Sequence, residues 1–202
     1  AGGGAEVVDA GQERVAAEAA GFSPLKINAV VQRGVNDHTI VELARWAKER
    51  GHIMRFIEFM DVGNLNGWRM EHVVSAQEIA QQIHAVMPLE QIERNYRGEV
   101  AMRLRYRDGG GEIGIIASVT QPFCGDCTRL RLSAEGKLYT CLFGTEGVDL
   151  RAPLRAGATD AELEQIIVDT WTRRTDRYSE ERTELTDDAR AKRKVEMYHI
   201  GG

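Results

Sequence analysis

The stretch Ile53-Met54-Arg55-Phe56-Ile57-Glu58-Phe59-Met60 is apolar and rich in isoleucine and phenylalanine, which is typical of a β-strand. An earlier stretch, Lys26-Ile27-Asn28-Ala29-Val30-Val31, has the same character. Between them, Asn36-Asp37 is a good helix cap, and the helix it opens is predicted to run to about Arg50, where Gly51 ends it. The sequence therefore predicts a β-α-β unit.

Two further helices flank this unit. One is predicted over about residues 6–20, and the other begins at the capping box Ser75-Ala76-Gln77-Glu78 and runs to about Met87. Helices that alternate with strands predict a parallel sheet, and ligands of such sheets bind at the carboxyl ends of the strands. The fold class is therefore predicted to be α/β.

The pattern changes after about Pro88, where short strands and turns replace the alternation. Residues 100–107 and 112–119 are predicted strands around Asp108-Gly109-Gly110-Gly111, and residues 127–132 and 138–143 form a second hairpin. A capping box at Thr159-Asp160-Ala161-Glu162 opens a helix to about Arg174, and the charged stretch 176–194 is expected to be exposed. This second part is predicted to be an α+β domain with an antiparallel sheet.

The composition narrows the class of protein. The formal net charge of −5 argues against a general nucleic-acid binder, although it leaves room for local basic pockets. No apolar run is long enough for a membrane span. The three cysteines, all between positions 124 and 141, are an odd number and fit a disulfide framework poorly. We expect a reducing cytoplasm, where cysteines serve metals or catalysis.

The cysteines follow the spacing Cys-x2-Cys-x13-Cys, which suits a metal site. In a strand, Cys127, Arg129 and Arg131 point to one face because side chains alternate. Cys141 can join them if the hairpin pairs odd positions with odd positions, as a turn with Gly136 in the left-handed conformation would do. Cys124 then closes the site from the preceding loop.

This spacing leaves alternatives open. A structural zinc site would need a fourth ligand, and none of the five histidines lies in the motif. An iron–sulfur cluster held by three cysteines leaves one iron open to a small ligand, and three unligated core cysteines are a further alternative. Arg129 and Arg131 indicate an anionic substrate beside the metal, because guanidinium groups bind phosphate, or else they are solvated arginines on an edge strand.

Several stretches resemble one family in the same order along the chain. Together they are similar to the MoaA-type GTP 3′,8-cyclases, radical S-adenosylmethionine enzymes of molybdenum cofactor biosynthesis. The resemblance covers nearly everything from about residue 5 onward. It is carried by Lys26-Ile27-Asn28, Arg55-Phe56-Ile57-Glu58-Phe59-Met60, Phe123-Cys124-Gly125-Asp126-Cys127-Thr128-Arg129-Leu130-Arg131-Leu132, Gly136-Lys137-Leu138-Tyr139-Thr140-Cys141-Leu142 and Ile200-Gly201-Gly202.

The resemblance implies a role for each matched residue. The cysteines Cys124, Cys127 and Cys141 would ligate an auxiliary [4Fe–4S] cluster whose open iron binds the guanine of GTP. Met60 would contact S-adenosylmethionine. Because Arg55 and Met60 have opposite strand parity, this requires either that Met60 lies past the end of the strand or that a bulge intervenes. The Gly201-Gly202 tail would enter the active site and act in catalysis. The GTP-binding residues would be Lys26, Asn28, Arg55, Arg129, Leu130 and Arg131.

The family implies an architecture and a reaction as well. Residues 1–88 would be the last βα units of a partial (β/α) radical S-adenosylmethionine barrel, and residues 89–202 an auxiliary-cluster and substrate domain. The whole enzyme would convert GTP to (8S)-3′,8-cyclo-7,8-dihydroguanosine 5′-triphosphate, as a cytoplasmic homodimer. A zinc-binding or nucleotide-binding fragment without turnover, or the auxiliary-cluster domain of another radical enzyme, are the alternatives.

One family feature is absent from these 202 residues. Radical enzymes of this class resemble one another in a Cys-x3-Cys-x2-Cys loop, whose cluster reduces S-adenosylmethionine to the radical. The chain has no such loop and no cysteine left to form one. It therefore resembles the C-terminal part of the enzyme, without the radical generator.

We expect that the 202-residue chain, reconstituted anaerobically with iron and sulfide, does not cleave S-adenosylmethionine. The reason is that the cluster that would supply the electron has no ligands here. Chromatographic assay of 5′-deoxyadenosine checks this, with an enzyme that carries the Cys-x3-Cys-x2-Cys loop as positive control. Formation of 5′-deoxyadenosine above the chain-free background would contradict the expectation.

Overall fold

The computed structural model describes residues 10–63, 67–182, 184 and 195–200. They divide into two compact units that interleave along the chain. Unit 1 takes its residues from Ala1–Glu58, Val74–Arg94 and Ala101–Ile116, and unit 2 takes them from Phe59–Val73, Asn95–Val100 and Ala117–Gly202. The division of the chain at residue 88 into two family domains stays a prediction.

Unit 1 is a mixed five-stranded sheet with helices. Its elements in chain order are α1 (Ala10–Ala19), β1 (Lys26–Val31), α2 (Ile40–Glu49), β2 (Ile53–Glu58), α3 (Ala76–Val86), β3 (Leu89–Ile92), β4 (Met102–Tyr106) and β5 (Glu112–Ile116). The strands lie in the order β1-β2-β5-β4-β3, so the last of these five strands in the chain lies in the middle of the sheet.

The predicted β-α-β unit is present, and its strands are parallel. β1 pairs with β2 in register, with Asn28 beside Arg55, and β2 pairs with β5 in the same direction, with Phe56 beside Ile115. Helices α2 and α3 both contact β2. Met54 and Phe56 are buried, whereas residues at alternate positions are more exposed. The α/β class is confirmed.

The hairpin β4–β5 belongs to this sheet, which the sequence pattern did not reveal. Its strands are antiparallel to each other, yet β5 also pairs in parallel with β2. Residues 113–116 of β5 are all buried, because a strand between two neighbours needs apolar residues on both faces. The four-residue strand β3 was not predicted, since it is too short for a recognisable period.

Unit 2 is built from short elements. Its small sheet, in the order β6-β7-β8, is antiparallel, as expected for this part of the chain. The strands are shorter than predicted because the hairpin forms only two registered residue pairs between β6 and β7. The elements are β6 (Arg131–Leu132), β7 (Lys137–Tyr139), β8 (Val148–Asp149), α4 (Arg151–Arg155), α5 (Asp160–Thr172) and α6 (Tyr178–Glu181).

None of the helices in the described ranges is both long and apolar enough to cross a bilayer. This agrees with the hydropathy of the sequence, in which no apolar run reaches membrane length.

The capping box predicted for α3 forms in full. The Ser75 hydroxyl accepts a hydrogen bond from the Glu78 backbone N–H at 3.2 Å, and Glu78 Oε2 accepts one from the Ser75 backbone N–H at 3.0 Å. The buried carboxylate of Glu58, at the end of β2, accepts a third N–H bond from Ala76 at 2.7 Å. Helix α3 therefore begins where its exposed N–H groups have acceptors.

The Glu78 carboxylate also makes the structure of unit 1 sensitive to acid. Its hydrogen bond from Arg33, at 2.7 Å, together with the bonds from Ser75, lowers the pKa of Glu78 from 4.5 to about 2. A carboxyl group with a depressed pKa stabilises the fold above its unfolded pKa, and that stability is lost as the pH falls.

We expect Glu78→Gln to lower the free energy of unfolding at pH 6, and this deficit to shrink as the pH falls from 4.5 towards 2. Urea titration at several pH values measures both effects. The matched control is Glu49→Gln, which removes a carboxylate from the exposed end of α2. If the loss in free energy of unfolding stayed constant between pH 4.5 and pH 2, the depressed pKa of Glu78 would not be its cause.

Candidate metal centre

The turn of the cysteine hairpin has the geometry that the sequence predicted. Gly136 adopts φ +80°, and its N–H donates to the Ser133 carbonyl at 2.9 Å. Arg131 lies opposite Tyr139, so odd positions face odd positions. Arg131 and Tyr139 are the outermost registered pair of this hairpin, so the alignment of Arg129 with Cys141 on the same face stays a prediction.

Cys124 opens a 3₁₀ turn over Cys124–Asp126, and Cys127 after it is extended, with φ −70° and ψ 121°. Hydrogen bonding from Arg129 lowers the pKa of the Cys127 thiol, so these two residues lie near each other. That Cys127, Arg129 and Arg131 share one strand face stays a prediction, because β6 begins only at Arg131.

The thiols and guanidinium groups influence one another electrically. Partial burial alone would raise the pKa of the Cys127 thiol, but the hydrogen bonds from Arg129 and the charges of Arg129 and Arg174 bring it below its ordinary value. Burial raises the pKa of Cys141, against a bond from the Phe143 N–H to its Sγ at 3.4 Å. Burial and the charge of Arg129 lower the pKa of Arg131, while the charges of Cys127 and Cys141 oppose that shift.

The arginine pair has no acidic partner in the part of the chain that the structure describes. Neither Arg129 nor Arg131 forms an ion pair with a described carboxylate, and the buried Nε of Arg129 has no hydrogen-bond acceptor there. The Arg129 guanidinium lies over the Phe123 ring, 5.4 Å from its centroid. Partly buried cations that have no carboxylate partner among the described residues favour an anionic ligand.

The three thiols are the available metal ligands. All three cysteines are free and partly buried. No group of three or more histidine, cysteine, aspartate or glutamate side chains among the described residues is arranged to hold a metal ion. The case for metal therefore comes from chemistry: three soft thiolate donors near positive charge fit an iron–sulfur cluster, which binds cysteine thiolates.

The other predicted GTP-binding residues lie in unit 1. Asn28 and Arg55 are neighbours across the parallel β1–β2 pairing, and Lys26 shares the exposed face of β1 with Asn28. The Arg55 side chain passes over Gly114, where an added Cβ would meet it at 3.2 Å. Lys26 and Arg55 form no ion pair with a carboxylate in the described ranges, so both charges are available to an anion.

Met60 lies past the end of β2, which is one of the two arrangements that its parity allows. The residue after it, Asp61, is buried and accepts a hydrogen bond from Arg182 Nε at 2.7 Å and another from the Tyr178 hydroxyl. The Trp68 indole N–H donates to the Phe59 carbonyl at 2.7 Å, and this bond joins Trp68 to the residue directly before Met60. The loop that carries Met60 is therefore held at both sides.

Arg182 corrects the expectation that residues 176–194 are exposed. Its side chain is only 1% exposed, and Nη1 donates to the Ser118 carbonyl at 2.9 Å. Its guanidinium also lies over the rings of Trp68, Phe143 and Tyr178. The high charge of the segment gave no sign of this role, although its single aromatic residue, Tyr178, was a usable signal. Residues 185–194 and the predicted Gly201 and Gly202 lie outside the described residues.

Asp61→Asn should leave the Arg182 charge buried without a counter-ion and lower the free energy of unfolding by about 3–5 kcal/mol. The double variant Asp61→Asn/Arg182→Met should cost less than the sum of the two single variants, because it removes both charges. Urea titration followed by tryptophan fluorescence measures each value. The control Arg69→Gln breaks an exposed pair with Glu71 in the same unit and should cost less than about 1 kcal/mol. If the double variant lost as much free energy of unfolding as the two single variants together, the pairing of Asp61 with Arg182 would be contradicted.

The chain is similar to known proteins over most of its length. The family model for molybdenum cofactor synthesis C matches residues 52–180. A GTP 3′,8-cyclase of Acidothermus cellulolyticus is 52% identical over 209 aligned residues, which cover 93% of this chain and 58% of that protein. A GTP 3′,8-cyclase of Xanthomonas campestris pv. campestris is 49% identical, with 93% and 54% covered, and one of Synechococcus sp. is 49% identical, with 93% and 53% covered.

The chain therefore spans a little more than half the length of the curated relatives it matches. The matched segment contains all three cysteines, the arginine pair and most of the five-stranded sheet. By this match the chain belongs to the molybdenum cofactor synthesis C family and corresponds to the C-terminal part of the MoaA-type enzymes.

Proposed function

We propose that this chain is the substrate-holding part of a GTP 3′,8-cyclase, which forms (8S)-3′,8-cyclo-7,8-dihydroguanosine 5′-triphosphate from GTP in molybdenum cofactor biosynthesis. The observation that carries the proposal is the cysteine hairpin, where two arginines without a described carboxylate partner flank free thiols. The similarity to proteins named GTP 3′,8-cyclase supports it.

The cysteines Cys124, Cys127 and Cys141 would hold an auxiliary [4Fe–4S] cluster. When bound, this cluster would offer one iron without a cysteine ligand to the guanine base. The protein itself favours cluster binding, because hydrogen bonds and positive charge around Cys127 lower the pKa of its thiol. The thiolate is the form that binds metal.

The triphosphate would meet arginine and lysine side chains. Arg129 and Arg131 have planar guanidinium groups that can donate two parallel hydrogen bonds to one phosphate. The backbone and side chain of Leu130, between them, would border the nucleotide. Lys26, Asn28 and Arg55 are assigned to the same substrate from the family motif. Lys26 and Asn28 are exposed on β1 and Arg55 is half-buried on β2, which is compatible with ligand contact.

The remaining assignments follow from the family and stay predictions. Met60 would contact S-adenosylmethionine from the loop after β2, and Gly201 and Gly202 would reach the reacting nucleotide. The full-length protein would be a cytoplasmic homodimer.

Anaerobic reconstitution tests the cluster. We expect about four irons and four sulfides per chain, in keeping with a cubane cluster, and a loss of most of that iron in Cys141→Ser. One zinc per chain, with no iron incorporated under the same conditions, would favour a structural metal site and contradict the proposal.

Equilibrium binding tests the arginine pair. Arg131→Gln should weaken GTP binding at least about tenfold, since a hydrogen bond between charged groups contributes roughly 1.5–3 kcal/mol. Arg155→Gln is the matched control, because it removes the same charge from the exposed end of α4 in unit 2. Equal GTP affinities of the two variants, measured by calorimetry on the reconstituted chain, would remove Arg131 from the site.

A further inference from the structure

The first two cysteines lie at the start and end of a 3₁₀ turn. The described main-chain hydrogen bonds of this turn run from the Cys127 N–H to the Cys124 carbonyl at 3.3 Å and from the Asp126 N–H to the Phe123 carbonyl at 3.1 Å. Turns this short are weak without outside support. A metal site needs the two thiols in a fixed relation, so something beyond the turn must hold them.

Arg174 supplies such support from a distant position in the chain. Its Nη1 donates to the Cys127 carbonyl at 2.8 Å, and its Nη2 donates to the Cys124 carbonyl at 3.3 Å. One planar guanidinium therefore joins the main-chain oxygens of both cysteines. Because it binds carbonyl oxygens, the contact leaves the two sulfur atoms available to a metal.

Arg174 is itself well anchored within unit 2. Its Nε lies 3.3 Å from Asp176 Oδ2, and its guanidinium lies over the Trp171 ring, 5.0 Å from the centroid. The backbone N–H of Arg174 donates to the Trp171 carbonyl at 3.2 Å, directly after α5. Its side chain is 13% exposed. The residues at the end of α5 thus fix the guanidinium beside the cysteine loop.

We propose that Arg174 is a positioning residue for the metal centre: its guanidinium holds the Cys124 and Cys127 carbonyls so that both thiols are presented to one cluster. The inference rests on the proposed function, because it takes the loop to be a cluster-binding loop. Arg174 contacts neither the thiols nor a substrate phosphate in this role. Groups that orient metal ligands in this way typically change metal affinity or retention by about 10–100-fold.

Two substitutions separate geometry from charge. Arg174→Met removes both, whereas Arg174→Lys keeps the charge but has a single ammonium that cannot reproduce the planar fork. The control is Arg173→Gln, the adjacent residue, whose side chain is 80% exposed and pairs with Asp169 at 3.1 Å. All three variants are compared with the wild-type chain after anaerobic reconstitution.

We expect Arg174→Met and Arg174→Lys to lose iron to a chelator about 10–100-fold faster than wild type, with Arg173→Gln unchanged. In the metal-free chains, the Asp126 and Cys127 amides should exchange hydrogen faster in both Arg174 variants. Iron loss and amide exchange equal to those of Arg173→Gln would overturn the proposal. Full rescue by lysine would overturn the geometric role as well.

Asp176→Asn provides a second route if circular dichroism shows that Arg174→Met fails to fold. It leaves both carbonyl bonds in place but removes the anchor of the guanidinium, so iron loss should increase by a smaller factor. An unchanged rate would overturn the proposal. Failure of the wild-type chain to assemble a cluster refutes the proposed function instead, and the metal-free amide exchange then decides the role of Arg174 separately.

Discussion

The parallel pairing of β2 with β5 is the constraint on which the rest of the structure depends. It places Phe56 beside Ile115 and inserts the β4–β5 hairpin into the sheet that β1 and β2 begin. The segments that follow these two strands, from Phe59 and from Ala117, both belong to unit 2. The apolar character of β5 is thus a condition for the strand order of unit 1.

Sequence patterns predicted the features that depend on neighbours in the chain. The capping boxes at Ser75 and Thr159 form as expected, because their donors and acceptors lie within one helical turn. The parity of the cysteine hairpin was also predictable, since one glycine with positive φ sets its register. The place of β5 in the sheet was not, because its partner β2 is distant in the chain and periodicity carries no information about strand order.

The candidate site also combines features that the sequence predicts with contacts between distant residues that it does not predict. Its thiols and arginines follow from spacing and alternation around Gly136. The residues that hold the surrounding loops do not: Arg174 binds carbonyl oxygens that any residue types would supply, and Arg182 binds one carbonyl and a single distant aspartate. Every residue type has a main-chain carbonyl, so the sequence cannot indicate which carbonyl will accept a bond from an arginine. Only the structure shows that Arg174 and Arg182 bind these carbonyl oxygens.

Unit 2 is assembled from three separate stretches of chain, and this has a consequence for folding kinetics. The Asp61–Arg182 pair closes a loop of 121 positions, and the Arg174 bonds to the cysteine loop span 47 and 50. Contacts with such large sequence separation form late and slow folding, because the entropy of loop closure precedes any gain from the contact. During synthesis, the Met60 loop must wait until Arg182, 121 positions after Asp61, has left the ribosome before this bond can form.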